Sequence, residues 1–299
     1  MQRRVGQGGS VNVWNIDPWF IGAMGLLVSA YARGVTFVWR RAGVGAVVAP
    51  WRVVSFAVGA YLLALAIVSP LDAWAHVLFS AHMAQHVLLM LIAAPLLVLG
   101  APPIPLLWAL PRGVRRAIGR GWNARPWLGR AWHAITGPVV VWCVLTTTLW
   151  VWHLPGPYQA AVRYGSLHAL EHATMLGASM LFWWVVLQPT GRRRVDGGSA
   201  VLLVLTTKIQ SATLGAIITF APRPMYPVYE PGAALVGLTP LQDQHLAGLI
   251  MGTVSGLALL IAGAFAFLSW LAALERRHNP HGSAAPPRVV RAPPVDLGP

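Results

Sequence analysis

Seven long apolar stretches decide most of what this chain can fold into. They run at about Trp19–Trp39, Val53–Val68, Phe79–Leu99, Ile135–Trp152, Leu167–Leu187, Ala200–Phe220 and Leu241–Leu274. Each is too long for a strand, and roughly 20 helical residues cross the apolar core of a bilayer. Lipid offers the backbone no hydrogen-bond partner, so each run is expected to close its own bonds as a helix. The expected fold class is all-α: a polytopic membrane protein with a seven-helix transmembrane domain over 1–275. A disordered, Pro/Arg-rich cytoplasmic tail is expected over 276–299.

Composition agrees. Hydrophobic residues make up 56% of the 299 and charged residues only 10%, against about a quarter charged in an average soluble domain. A soluble globular enzyme, a disordered chain and a secreted disulfide scaffold are excluded. Cys143 is the one cysteine, so neither an intrachain disulfide nor a thiolate metal cluster can form. A net charge of +14 would suggest nucleic acid on a soluble domain. Here the arginines cluster between apolar runs, so no nucleic-acid partner is expected, and membrane lipids are.

Those arginines also predict sidedness. Arg40, Arg41 and Arg52 separate runs one and two. Arg112, Arg115, Arg116, Arg120, Arg125 and Arg130 separate three and four. Arg192, Arg193 and Arg194 separate five and six, and Arg276, Arg277, Arg288 and Arg291 follow run seven. The alternate segments carry only Arg3, Arg4, Arg163 and Arg223. Positive charge stays on the cytoplasmic side, which puts the N-terminus outside and the C-terminus in the cytoplasm. A competing reading makes run one a signal peptide ending near Ser29-Ala30-Tyr31-Ala32. The other six runs keep their orientation either way.

On this topology most histidines gather at the outer side. His76, His82 and His86 lie at the start of run three and His153 at the end of run four. His168 and His172 open run five, and His245 lies in the first turns of run seven. His82 and His86 are four residues apart, hence on one helix face, and His168 and His172 repeat the spacing. Met90 and Met175 continue the two stripes. Imidazole suits copper, zinc and iron, and added thioether favours Cu(I), so copper is the first choice. The bland readings are satisfied core pairs, interfacial groups for His76, His153 and His245, and simple packing for Met83, Met90 and Met175.

Other features are weaker. Glu171 is expected to orient a neighbouring imidazole or to lower the charge of the site. Lys208, the sole lysine, falls mid-run and should face the bundle interior with a partner. A retinal Schiff base there would rest on helix count alone. Thr239-Pro240-Leu241-Gln242 reads as a capping box, and Asp243 suits the helix dipole as well as it suits a metal. Gly252 and Gly256 form a G-x-x-x-G, a close-packing pattern. Zinc-hydrolase spacings, a Gly-rich phosphate loop and a dinucleotide fingerprint are absent from the sequence.

Three segments carry a family resemblance. They are His82-Met83-Ala84-Gln85-His86 with Ala94 to Pro102, Trp152-His153-Leu154-Pro155 with Tyr158 and Leu167 to His172, and Asp243-Gln244-His245 on to Met251. Over about Ser69 to Met251 the chain resembles the multi-span CtaG-type cytochrome c oxidase assembly factors of bacteria. It does not resemble the single-span, cysteine-using copper chaperone of the same name. The resemblance implies a multi-pass protein of the bacterial plasma membrane, with a haem-copper terminal oxidase subunit as partner and copper as cargo. It places the family's motif residues on His82, His86, His153, His168 and His172, with Glu171 and Asp243 beside them.

The resulting expectation is a non-enzymatic assembly factor. His82, His86, His168 and His172 would hold copper, and His153, His245 and Asp243 are additional candidate ligands. Glu171 and Met83 would sit beside them. A haem-binding redox protein and a proton or metal transporter, with Lys208, Glu171 and the histidines as a relay, stand as alternatives. A homo-oligomer is left open.

Overall fold

The computed structural model describes residues 14–187 and 197–278. Among the described residues thirteen α-helices carry the fold. They are α1 (Pro18–Ala42), α2 (Pro50–Val68), α3 (Pro70–Ala75), α4 (Phe79–Leu99), α5 (Pro103–Ala109), α6 (Arg112–Asn123) and α7 (Pro126–Ile135), then α8 (Pro138–Trp152), α9 (Pro155–Arg163), α10 (Gly165–Leu187), α11 (Gly197–Phe220), α12 (Glu230–Leu235) and α13 (Pro240–Ala272, continuing as helix to His278). No strand occurs among the described residues. The all-α, multi-pass expectation holds. The expected tail begins inside α13 as far as His278, and the rest of it lies outside the described residues, as do Arg3, Arg4 and Arg192–Arg194.

Among the described residues six helices are long and apolar enough to span a bilayer: α1, α2, α4, α10, α11 and α13. The fourth apolar run is interrupted. Gly137 and Pro138 follow the end of α7, and α7 and α8 meet at 58°. The 15 residues of α8 rise about 22 Å at 1.5 Å per residue, short of the ~30 Å apolar core. The pair makes a seventh crossing only if it counts as one bent span.

Helix starts follow the sequence closely. Proline stands at the first positions of α1, α2, α3, α7, α8, α9 and α13, where its missing N–H would be unbonded anyway. Asp17 caps α1 by accepting from the Trp19 N–H at 2.8 Å. The Thr239–Gln242 capping box forms in both directions. Between α5 and α7, α6 sets its arginines apart from Val114, Ile118 and Trp122, which are exposed at four-residue spacing. That pattern suits a helix lying in the membrane interface.

Close helix contacts depend on glycine. A Cβ on Gly34 of α1 would run into the Pro105 carbonyl of α5. Gly215 of α11 packs against the backbone of Gly248 and Gly252 in α13, where a Cβ would lie 2.9 Å from both the Gly248 oxygen and the Gly252 nitrogen. The small-residue contact thus uses Gly248 and Gly252, one turn before the expected Gly252–Gly256 pair. A Cβ on Gly256 would come only to 3.9 Å from the Cε of Lys208 and meet nothing closer among the described residues.

Two spans widen into π-helix, at Leu88–Ala93 in α4 and Ile250–Val254 in α13. Pro95 has no N–H to give and crowds the preceding turn, a sufficient cause for the first. There the Ala94 N–H bonds to Leu89, which leaves the Met90 carbonyl available to other donors. Ser179 Oγ and Trp183 Nε1 of α10 donate to it at 2.6 and 2.8 Å. This locks α10 to α4, and those two helices carry the paired histidines.

Candidate metal centre

The site forms where the N-terminal turns of α4 and α10 meet. On α4, helical spacing puts His82 and His86 on one face, and their Nε2 atoms are 3.0 Å apart. On α10 the same spacing brings His168 and His172 together, ring centroids 4.2 Å apart. The two pairs face each other, with His82–His168 at 5.2 Å, His82–His172 at 5.8 Å and His86–His172 at 5.2 Å between centroids. All four rings are buried.

Glu171 points into the same space. Its two oxygens lie 3.8 Å from His82 Nε2 and from His86 Nε2. Neither has a hydrogen-bond partner among the described residues, nor do His86 Nδ1 and His172 Nε2. Leaving such a group buried and unbonded costs about 1–3 kcal/mol. Several such atoms on one spot form a donor set that a cation would satisfy. Candidate ligand atoms of His82, His86 and Glu171 lie within 4.8 Å of one another, as do those of His82, His168 and His172. Glu171 therefore sits among the ligand atoms, closer in than an orienting role requires.

Buried tyrosines back the first histidine pair. Tyr229 donates its hydroxyl to the Ala75 carbonyl at 3.2 Å and lies 2.7 Å from His82 Nδ1. With its proton on the carbonyl, Tyr229 would accept the N–H of Nδ1 and leave the lone pair of His82 on Nε2, facing His86 and Glu171. Burial pushes the Tyr158, Tyr226 and Tyr229 phenols well above their usual range, so they stay protonated donors. Tyr226 donates to the His153 carbonyl at 2.7 Å.

His153, at the end of α8, joins the edge of the site. Its centroid is 6.2 Å from that of His86. Its Nδ1 donates to the Leu149 carbonyl at 2.7 Å, so its buried, unpartnered Nε2 carries the lone pair. His86, His153, Met83, Met90 and Met251 line a cavity of about 60 Å³ beneath the site.

Two expected ligands lie elsewhere. The Asp243 carboxylate accepts from the Phe79 and Ser80 N–H groups at 2.7 and 3.1 Å and from the Ser80 hydroxyl. It caps α4 from across the bundle, since the first N–H groups of that helix have no partner in their own turn. His245, two residues on and half-buried, falls in none of the candidate ligand groups among the described residues. Lys208 is half-buried beside Gly256 and makes no hydrogen bond among the described residues.

Sequence reasoning passed over several residues. His76, read as interfacial, stacks edge-on against His168 at 4.5 Å between centroids, and Asp72 lies with them. The four-residue spacing of Asp72 and His76 was the available signal. Tyr229 had none, being 147 residues from the ring it orients.

Fold and site together define a polytopic helical membrane protein with a buried His–Glu cluster near one end of its bundle. The model of the cytochrome c oxidase caa3 assembly factor family (Caa3_CtaG) matches residues 29–273, so the chain belongs to that family, as its motifs suggested. It is also similar to uncharacterized proteins of Mycobacterium bovis and Mycobacterium tuberculosis, each 25% identical over 282 residues, 90% of this chain and 42% of theirs. A Mycobacterium leprae relative, likewise uncharacterized, is 25% identical over 286 residues, 89% of this chain and 41% of its own. The chain thus spans about two-fifths of the length of these relatives. No solved structure gives a significant match.

Proposed function

We propose that this chain holds copper in its His–Glu cluster and passes it to a haem-copper terminal oxidase during assembly. The observation that carries the reading is the convergence of unpartnered ligand atoms from α4 and α10. His82, His86, His168, His172 and Glu171 are the ligand candidates, with His153 at the edge. Imidazoles alone would serve zinc or iron. The thioethers of Met83, Met175 and Met251, buried in the cluster of side chains around the site, favour Cu(I). Family membership supplies the oxidase as partner.

The arginine pattern supports a plasma-membrane topology with the cluster on the outer side, where donor and acceptor can reach it. The bent α7–α8 pair then counts as one crossing, giving seven. A haem reading has less support, because the imidazoles pack edge to face on one another and leave no flat slot for a macrocycle between them. No catalytic step is proposed.

Metal analysis tests the reading. Purified wild type should retain copper, and a His82→Ala/His172→Ala chain should lose it. Equal copper in both overturns the assignment.

A further inference from the structure

Asp72, His76 and His168 form a second group whose ligand atoms lie within 4.8 Å of one another. It differs from the deep cluster in being open. His76, at the end of α3, is exposed, while Asp72 and His168 are buried beside it. The three line a cavity of about 470 Å³ that also reaches His172 and is walled by Asn15 and Asp17 at the start of α1. The Asp72 carboxylate is held by two amides, Gln85 Nε2 and Asn15 Nδ2, each at 2.9 Å. Both are neutral donors, so they orient the carboxylate without cancelling its charge, and its oxygens keep lone pairs for a further partner.

The three candidate groups overlap. His168 belongs to the outer group and to the His82–His168–His172 group, and His82 belongs to that group and to the one with His86 and Glu171. His76 is exposed, whereas the residues that link and end the series are buried, His168 at 7%, His82 at 1% and Glu171 at 0%. We infer that Asp72, His76 and His168 are an outer loading station, from which a soft cation such as Cu(I) moves inward by ligand exchange. This rests on the deep copper centre proposed above.

The cation releases Asp72 and His76, retains His168, and gains His172 and His82. In the deep centre it keeps His82 and comes within reach of His86 and Glu171, with His168 and His172 still among its ligands. Only coordinate bonds form and break, and no electron is transferred. Each ring binds through the nitrogen that carries no proton. The carboxylates of Asp72 and Asp17 give the mouth a field that draws cations in.

Stopped-flow transfer of Cu(I) from a chromophoric chelator to the purified full chain tests the station. His76→Ala should slow uptake at least about tenfold, the scale of a lost steering and capture site, while final copper occupancy stays that of wild type. His76→Cys, which restores a copper ligand without the ring, should recover the rate. Wild-type uptake by His76→Ala overturns the outer station alone, and so does failure of His76→Cys to exceed His76→Ala. A His82→Ala/His86→Ala chain with full final occupancy overturns instead the deep centre on which the station depends.

Discussion

Tyr229→Phe perturbs the site without touching a ligand. The substitution keeps the ring, which stacks on Phe79 at 5.6 Å between centroids, and removes one oxygen. That oxygen hydrogen-bonds His82 Nδ1 at 2.7 Å, lies 3.2 Å from the Ala75 carbonyl and neighbours the Tyr158 hydroxyl at 3.3 Å. Without it the His82 ring is free to take the other tautomer and put its proton on Nε2, the nitrogen aimed at the cluster. Loss of a hydrogen bond that orients a metal-binding histidine weakens affinity about 10–100-fold, which corresponds to about 1.4–2.8 kcal/mol. A competition titration of the purified chain against a Cu(I) chelator measures this directly. Tyr226→Phe is the control, because its hydroxyl serves the His153 carbonyl and no imidazole nitrogen. It should leave affinity unchanged. Wild-type affinity in Tyr229→Phe, or an equal loss in Tyr226→Phe, refutes the orienting role.

Three further outcomes follow from the same geometry. Glu171→Gln replaces a buried, unbonded carboxylate with a neutral amide of similar shape, so copper affinity should fall while the thermal midpoint of the metal-free chain holds or rises. Asp243→Asn keeps the shape of the α4 cap but turns one of its two acceptor oxygens into a donor facing an N–H, which should cost about 1–3 kcal/mol of stability, read in a detergent melt, with copper content unchanged. Gly248→Ala drives a methyl into Thr219 of α11, for an overpacking cost of about 1–3 kcal/mol; Thr219→Ala should relieve part of it in the same melt.

Local spacing explains what could be read before the structure. His82 with His86, and His168 with Glu171 and His172, sit on shared faces because a helix repeats every 3.6 residues. The meeting of the two faces followed from their placement at the same end of neighbouring spans. Residues whose partners lie far along the chain were less legible. Asp243 looked like a ligand near a helix start, yet its partners are the open N–H groups of α4, more than 160 residues away. The Tyr229 contact to His82 is hidden for the same reason. The break at Gly137-Pro138 was visible as residues, but its consequence, a short α8 bent from α7, depends on packing. The π segment in α4 was marked only by Pro95, and the Ser179 and Trp183 side chains that use it come from another helix.

X-ray absorption at the copper edge, on the full chain loaded with Cu(I), tests the central claim most directly. The outer-shell scattering of imidazole rings should dominate and should diminish in His82→Ala/His172→Ala. A wild-type spectrum without imidazole scattering, or one left unaltered by that double substitution, contradicts a centre built from the facing histidines of α4 and α10.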